Sequence, residues 1–161
     1  MPNGVLFSIR PEYVASILKG TKTVELRRKP LANNDVEFVL IYETAPTCAI
    51  VAVARLGQTL EGSPSRMWSQ VSGIAGICRR GYRSYFDDVS TAFAFVLEDV
   101  AQLVSPIPLE RLRAHWGWQG PPQSFRYVSV ALRGEVVEIS DAGKKVSCRG
   151  SKPLPLREMG R

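Results

Sequence analysis

The stretch Gly20-Thr21-Lys22-Thr23-Val24-Glu25-Leu26-Arg27-Arg28 is where one hydrophobic period gives way to another. Before it, Val14, Ile17 and Leu18 recur at i, i+3 and i+4, one face of a short helix that opens at Pro11 and stops at Gly20. Glycine suits the stop because it takes the left-handed cap conformation without steric cost. From Lys22 onward the alternation predicts a strand, with Lys22, Val24 and Leu26 on one face and Thr23, Glu25 and Arg27 on the other. A carboxylate and a guanidinium then share a face. An ammonium stands at the helix–strand corner, where its long stem can reach over the mouth of a cleft. An ordinary salt-bridged strand has the same spacing, so the pattern by itself does not separate a site from a solvated sheet.

Working outward, Val5 to Ile9 reads as a strand ahead of the helix, and Lys29-Pro30 stops the strand after it. Asn33-Asn34-Asp35 is a turn. Glu37 to Tyr42 is almost continuously apolar, as in a buried strand, and Ala49 to Leu56 is a second β-branched run, followed by a loop from Gly57 to Gly62. Ser63-Pro64 supplies a cap and a first-turn proline for a helix whose apolar face is Met67, Trp68 and Val71. Ile77 to Phe86 reads as a short helix with Tyr82, Tyr85 and Phe86 turned inward. Thr91 to Val100 is a strand, and Pro108 opens a helix from Leu109 to Ala114. Pro121-Pro122 forces an extended approach to residues 123–127. Val128 to Leu132 reads as a final strand, with Glu135 to Ile139 as one more candidate. About six strands that follow one another without full crossover helices favour an α+β fold, a mixed β-barrel with short flanking helices, over a doubly wound sheet.

The 161 residues suit one domain with a sizeable core. No apolar run approaches the roughly 20 residues of a membrane span, and the first residues lack the pattern of a signal peptide, so a cytoplasmic, membrane-free protein is expected. Cys48, Cys78 and Cys148 are far apart and His115 is the lone histidine, which argues against a disulfide framework and against a zinc site. No metal or cofactor is expected. The net charge of +6 is concentrated at the end of the chain: residues 142–161 hold six basic side chains and one acid, against 15 basic and 14 acidic in the rest. Residues 134–161 therefore read as a basic, largely disordered tail, either solubilising or adding non-specific affinity for nucleic acid.

The phosphate-loop, dinucleotide, zinc-protease and nucleophile-elbow signatures are missing. What remains is a set of polar residues at strand ends: Ser8 and Arg10, then Lys22, Glu25 and Arg27, then Tyr42 and Glu43, then Gln123, Ser124 and Arg126. Each has a plain structural reading. Ser8 can tie a turn, Tyr42 can be a core ring with a wet hydroxyl, Glu43 can pair with a neighbouring base and Arg126 can be surface.

Gly20-x-Lys22-x-x-Glu25-x-Arg27 resembles the G-x-K-x-x-E-x-R motif of the ASCH domain, a family in the PUA-like superfamily. Phe7 to Tyr13 resembles its opening strand and helix, Ile41 to Pro46 the strand end before the next barrel strand. Tyr85-Phe86, the strand around Ala94 and residues 122–127 resemble later landmarks. The resemblance spans roughly residues 4–132, which makes residues 1–133 the expected domain. It implies a PUA-like barrel of about six strands with a cleft between barrel and helices. Related domains bind RNA or single nucleotides there, often modified ones, and some members are hydrolases that deacylate acetylcytidine or cut RNA.

Nucleotide binding needs a cation for phosphate, a carboxylate for a base amine or sugar hydroxyl, and an aromatic ring for stacking. The expected binding set is Ser8, Arg10, Lys22, Glu25, Arg27, Tyr42, Glu43, Trp68, Gln123 and Ser124. If the protein is an enzyme, the resemblance implies a metal-independent ribonuclease or nucleoside amidohydrolase, with Lys22, Tyr42, Glu43 and Ser124 as catalytic candidates. The expected partners are RNA, single-stranded nucleic acid or a free modified nucleoside.

Overall fold

The computed structural model describes residues 3–121 and 123–147, with side chains through residue 138. Six strands form one sheet: β1 (Gly4–Ile9), β2 (Val24–Arg27), β3 (Phe38–Glu43), β4 (Ala49–Gly62), β5 (Ala92–Pro108) and β6 (Phe125–Val128). Five helices accompany them: α1 (Pro11–Lys19), α2 (Pro64–Val71), α3 (Arg79–Tyr85), α4 (Leu109–Trp116) and α5 (Val130–Ser147). The spatial order is β2-β5-β4-β3-β1-β6. All neighbours are antiparallel except β1 and β3, which run parallel with α1 and β2 lying between them in sequence.

Two long strands curl this sheet into a half-barrel. β4 and β5 pair along their whole lengths, Ala49 opposite Pro108 at one end and Gly62 opposite Ala92 at the other, with three register shifts between. Each shift bends the pair and adds twist. Residues 57–62, expected as a loop, are the far half of β4. Their polar side chains fit an outward-facing strand, and the pairing of Thr59, Leu60 and Glu61 with Phe95, Ala94 and Phe93 carries them. The concave face packs Phe7, Ile9, Val39, Ile41, Phe95 and Leu97 against Val14 and Ile17 of α1. The opposite face buries Leu6, Leu40, Tyr42, Ile50 and Ile107 under Leu112 of α4 and Trp118. The outer side of β2, Val24 and Leu26, meets Met67 and Val71 of α2 and Tyr82 and Phe86 at α3.

The end of the chain differs from its sequence reading. The strand expected over 128–132 stops at Val128, and the further strand expected over 135–139 is absent, because α5 runs from Val130 to Ser147. Leu132 and Val136, four apart, lie on one helix face and are buried in the second core, and Trp116 Nε1 donates to Glu135 at 2.7 Å. The boundary expected near residue 133 therefore falls inside a helix. Residues 148–161, part of the expected disordered tail, lie outside the described residues. Ending the chain at residue 133 removes fully buried Val136, worth about 1.5–3 kcal/mol by itself. A clear drop in melting temperature is expected for that truncation, and an unchanged one would show that α5 does not dock.

Candidate functional site

The site begins at the corner after α1. Gly20 caps the helix at φ 82°, and its amide returns to the Ile17 carbonyl. The amides of Thr21 and Lys22 both bond the Ser16 carbonyl, and that of Thr23 bonds Ile74. With its amides spent there, the chain joins the sheet only at Val24. Lys22 is thus outside the strand and does not follow its alternation.

Nor does Lys22 reach over an open mouth, as its corner position suggested. It is 4% exposed, its stem lies against Gly76, and its ammonium donates to the Ala75 carbonyl at 2.7 Å. Gly76 has φ +64°, and a Cβ there would come within 3.0 Å of the Lys22 side chain, so both the turn and the close approach require glycine. Lys22 Nζ stands 3.8 Å from Glu25 Oε2, and Glu25 Oε1 accepts from Arg27 Nη2 at 2.9 Å. Burial is the main influence on Lys22 and lowers its pKa; Glu25 acts to raise it and Arg27 to lower it.

Arg27 then crosses a gap in the sheet. β2 and β6 are the two ends of the strand order and share no ladder among the described residues. Arg27 Nη1 donates to Ser124 Oγ at 3.0 Å and to the Ser124 carbonyl at 3.3 Å, just before β6, and Nη2 donates to the Ser8 carbonyl at 3.3 Å. The guanidinium lies over the Phe7 ring, 4.7 Å from its centroid. One side chain therefore stitches the open seam of the half-barrel. Two cations and one carboxylate meet there, a formal excess of one positive charge in a nearly closed space.

The remaining expected residues fall in three places. Ser8 pairs with Tyr42 in register, and its amide donates to the Ser124 carbonyl, so Tyr42 on β3, Ser8 on β1 and Ser124 just before β6 form a row. The Tyr42 ring is fully buried in the second core and its hydroxyl lies beside the Cys48 thiol, away from the charged trio. Burial, with the Cys48 thiol beside it, pushes its pKa up to about 12. Glu43 ends β3 partly exposed, while Arg10 and Gln123 are exposed at the rim; none of the three makes a hydrogen bond or ion pair with Lys22, Glu25 or Arg27. Trp68 is not at the seam. It stacks on Tyr82, with ring centroids 4.7 Å apart, on the outer side of β2. Tyr85 was read as inward and is instead 37% exposed, but its hydroxyl donates to the Leu26 carbonyl at 3.3 Å, between Glu25 and Arg27. Tyr85 and Gly76 join the site without belonging to the set expected from the sequence. A G-x-K motif followed some fifty residues later by Gly-x-x-Gly gives no signal of their meeting.

Among the described residues two buried side-chain polar atoms lack a hydrogen-bond partner, Arg27 Nε and the Tyr42 hydroxyl. Both belong to the expected site set, where such orphans tend to collect. No three His, Cys, Asp or Glu side chains among the described residues converge as metal ligands would.

Glu25→Gln leaves two buried cations without a carboxylate and is expected to cost about 3–5 kcal/mol, whereas Lys22→Met, which keeps the apolar stem, is expected to be neutral or stabilising. Urea titrations check both, and equal, small effects would mark an ordinary exposed pair. Tyr42→Phe removes an unpartnered buried hydroxyl and is expected to be at least as stable as the parent at neutral pH. Unfolded, Tyr42 loses its proton near 10, while folded it holds it to about 12, so its contribution to stability is intact below pH 10 and is lost as pH rises to about 12. Lys22 has the opposite sign: its folded pKa lies below 10.5, so stability rises with pH between that value and 10.5. In alkaline melts the Tyr42→Phe variant should lack the fall above pH 10, and a variant less stable than the parent at pH 7 would contradict the placement of the hydroxyl.

Comparison with known proteins gives this arrangement its relatives. No family model matches the chain. An ASCH domain-containing ribonuclease from Zymomonas mobilis is 33% identical over 124 residues, 76% of this chain and 82% of the relative. The crystal structure of ASCH from Zymomonas mobilis superposes with a TM-score of 0.76 at 30% identity, covering 85% of this chain and 95% of that one. A serine-to-alanine variant of the same protein superposes with a TM-score of 0.73 at 28% identity, covering 92% and 99%. The likeness holds over most of both chains, and the six-stranded curled sheet with its short helices is the fold they share. The chain belongs to the ASCH domain family.

Proposed function

We propose that this chain binds single-stranded RNA across the seam between β2 and β6 and cleaves it. The observation that carries this reading is the excess positive charge at the seam together with the unpartnered Arg27 Nε–H. A phosphate oxygen is the acceptor that would both neutralise the charge and satisfy the donor. The exposed Ser124, whose hydroxyl accepts from Arg27, is the point at which a phosphate first meets the cluster. The ribonuclease name of the Zymomonas mobilis relative supports the same substrate class.

In this reading the RNA 2′-oxygen attacks its own phosphorus and the bond to the 5′-oxygen breaks, leaving a 2′,3′-cyclic phosphate and a 5′-hydroxyl. Arg27 and Ser124 hold the non-bridging oxygens. Glu25 takes the proton from the 2′-hydroxyl, and Lys22, whose lowered pKa makes its ammonium a better acid than a free lysine's, gives one to the departing 5′-oxygen. The proton on Glu25 then returns to Lys22, 3.8 Å away. A second reading, recognition without cleavage, is favoured by the Lys22 ammonium being already engaged by the Ala75 carbonyl. A free modified nucleoside is the smaller ligand these groups would accept, and it would compete with RNA for them.

Incubation of the parent with RNA should yield cyclic-phosphate ends, detectable by mass, and no cleavage of a 2′-O-methyl strand. Lys22→Met is expected to slow cleavage about 10²–10⁴-fold while RNA still binds. Binding without cleavage by the parent would select the second reading, and no binding would reject both.

A further inference from the structure

A groove of about 510 Å³ opens between α2 and α3, away from the seam, lined by Trp68, Arg79, Tyr82, Arg83, Phe86 and Asp87 among others. Its construction is specific. Ser63 caps α2 by accepting from the Arg66 amide, Cys78 caps α3 by accepting from the Gly81 amide, and the Tyr82 hydroxyl ties the helices together by donating to the Pro64 carbonyl at 2.7 Å. Tyr82 is thereby spent on structure, which leaves half-buried Trp68 as the ring available to a ligand.

The charge lining it is mostly positive, Arg79 and Arg83 against Asp87. Between Ser63 and Phe86 the chain carries Arg66, Arg79, Arg80 and Arg83 and no acid, and all four are exposed. Arg79 and Arg83, four apart on α3, share a helix face and both line the groove, and neither has an ion-pair partner among the described residues. An overall balance of charge outside the tail conceals this cluster.

The groove is also joined to the seam. Rings run in contact from Trp68 to Tyr82 at 4.7 Å, from Tyr82 to Phe86 at 4.8 Å and from Phe86 to Tyr85 at 4.7 Å. Tyr85 ends that row with its hydroxyl on the Leu26 carbonyl, between Glu25 and Arg27. A strand leaving the seam over half-exposed Tyr85 therefore meets the groove next.

We infer that the α2–α3 groove is a second RNA subsite, which seats a nucleotide neighbouring the one at the seam, its base on Trp68 and its phosphates on Arg79 and Arg83. Stacking plus unpaired guanidinium groups is the combination that holds single strands without reading their sequence. The inference rests on the RNA reading of the seam and adds to it a length dependence. A trinucleotide engages the seam alone, whereas a longer strand engages both.

The test uses the full chain and uncleavable 2′-O-methyl RNA, one strand of about twelve nucleotides and one of about three. Binding is measured by fluorescence anisotropy over a salt series. The double variant Arg79→Gln/Arg83→Gln is expected to weaken the longer strand about tenfold, to reduce the slope of log affinity against log salt by about 1 to 1.5, and to shrink its advantage over the trinucleotide. Trp68→Leu is expected to weaken the longer strand with the salt slope kept, because stacking releases no counterions. A double variant that keeps the parent's affinity and slope overturns the inference and leaves the seam reading standing. An acidic polypeptide that binds the parent but not the double variant, with RNA affinity unmoved, also overturns it and assigns the groove to a protein partner. A parent that binds neither strand rejects the RNA reading itself, before any variant is compared.

Discussion

A half-barrel whose end strands do not pair has to close its seam by other means, and here a single guanidinium does so. Arg27 sits on β2 at one end of the sheet and bonds the Ser124 hydroxyl and carbonyl and the Ser8 carbonyl at the other end. An unpaired sheet edge is a row of open backbone groups, and covering it with a side chain that carries several donors in a rigid plane is a solution only arginine offers. A lysine ammonium has its three donors on one atom and lacks the two-nitrogen span with which Arg27 bonds Ser124 through Nη1 and Ser8 through Nη2. Much of the surrounding architecture follows from that placement. Glu25 must stand two residues before Arg27 to balance its charge, Phe7 must lie beneath the guanidinium, and Lys22 must complete the carboxylate's other side.

The cost of this arrangement is buried charge. Lys22 and Glu25 are both buried, and taking such groups out of water is unfavourable unless every lone pair and proton finds a partner. Most do, through the Ala75, Ser8 and Ser124 oxygens. Arg27 Nε does not. A protein that needed only a closed seam would be better served by apolar packing, so a charged seam with a spare donor and an unbalanced positive charge points to a ligand that supplies the missing anion. In the proposed reading, structure and chemistry are carried by the same three side chains, so folding stability and the site would be coupled.

Much of this was legible in the sequence. The helix stop at Gly20, the pairing of Glu25 with Arg27 on one strand face and the mixed barrel all follow from local periods and a glycine. Resemblance to the ASCH family supplied the order of landmarks. What escaped was non-local. Lys22 is placed by amide bonds to Ser16 and by contact with Gly76, more than fifty residues on, so strand alternation misassigned it. The second half of β4 is polar and was read as loop because its partner, β5, holds it through pairing rather than through burial of both faces. The helix α5 escapes a reading from the sequence because two glycines, Gly134 and Gly143, and several β-branched residues give it low intrinsic preference, while two residues, Leu132 and Val136, dock it. The arginine cluster of α3 was hidden by summing charge over too long a window.

The central claim is that the Arg27 guanidinium both closes the seam and receives the phosphate. Its Nε–H is buried and unpartnered, so its nuclear magnetic resonance signal reports directly on a new acceptor. Titrating the protein with uncleavable single-stranded RNA while following arginine side-chain Nε–H resonances is the most direct test. The account predicts that the Arg27 signal shifts downfield and exchanges more slowly with solvent as RNA is added. An Arg27 signal that stays in place while resonances elsewhere saturate with RNA would contradict it and leave the seam a purely structural clasp.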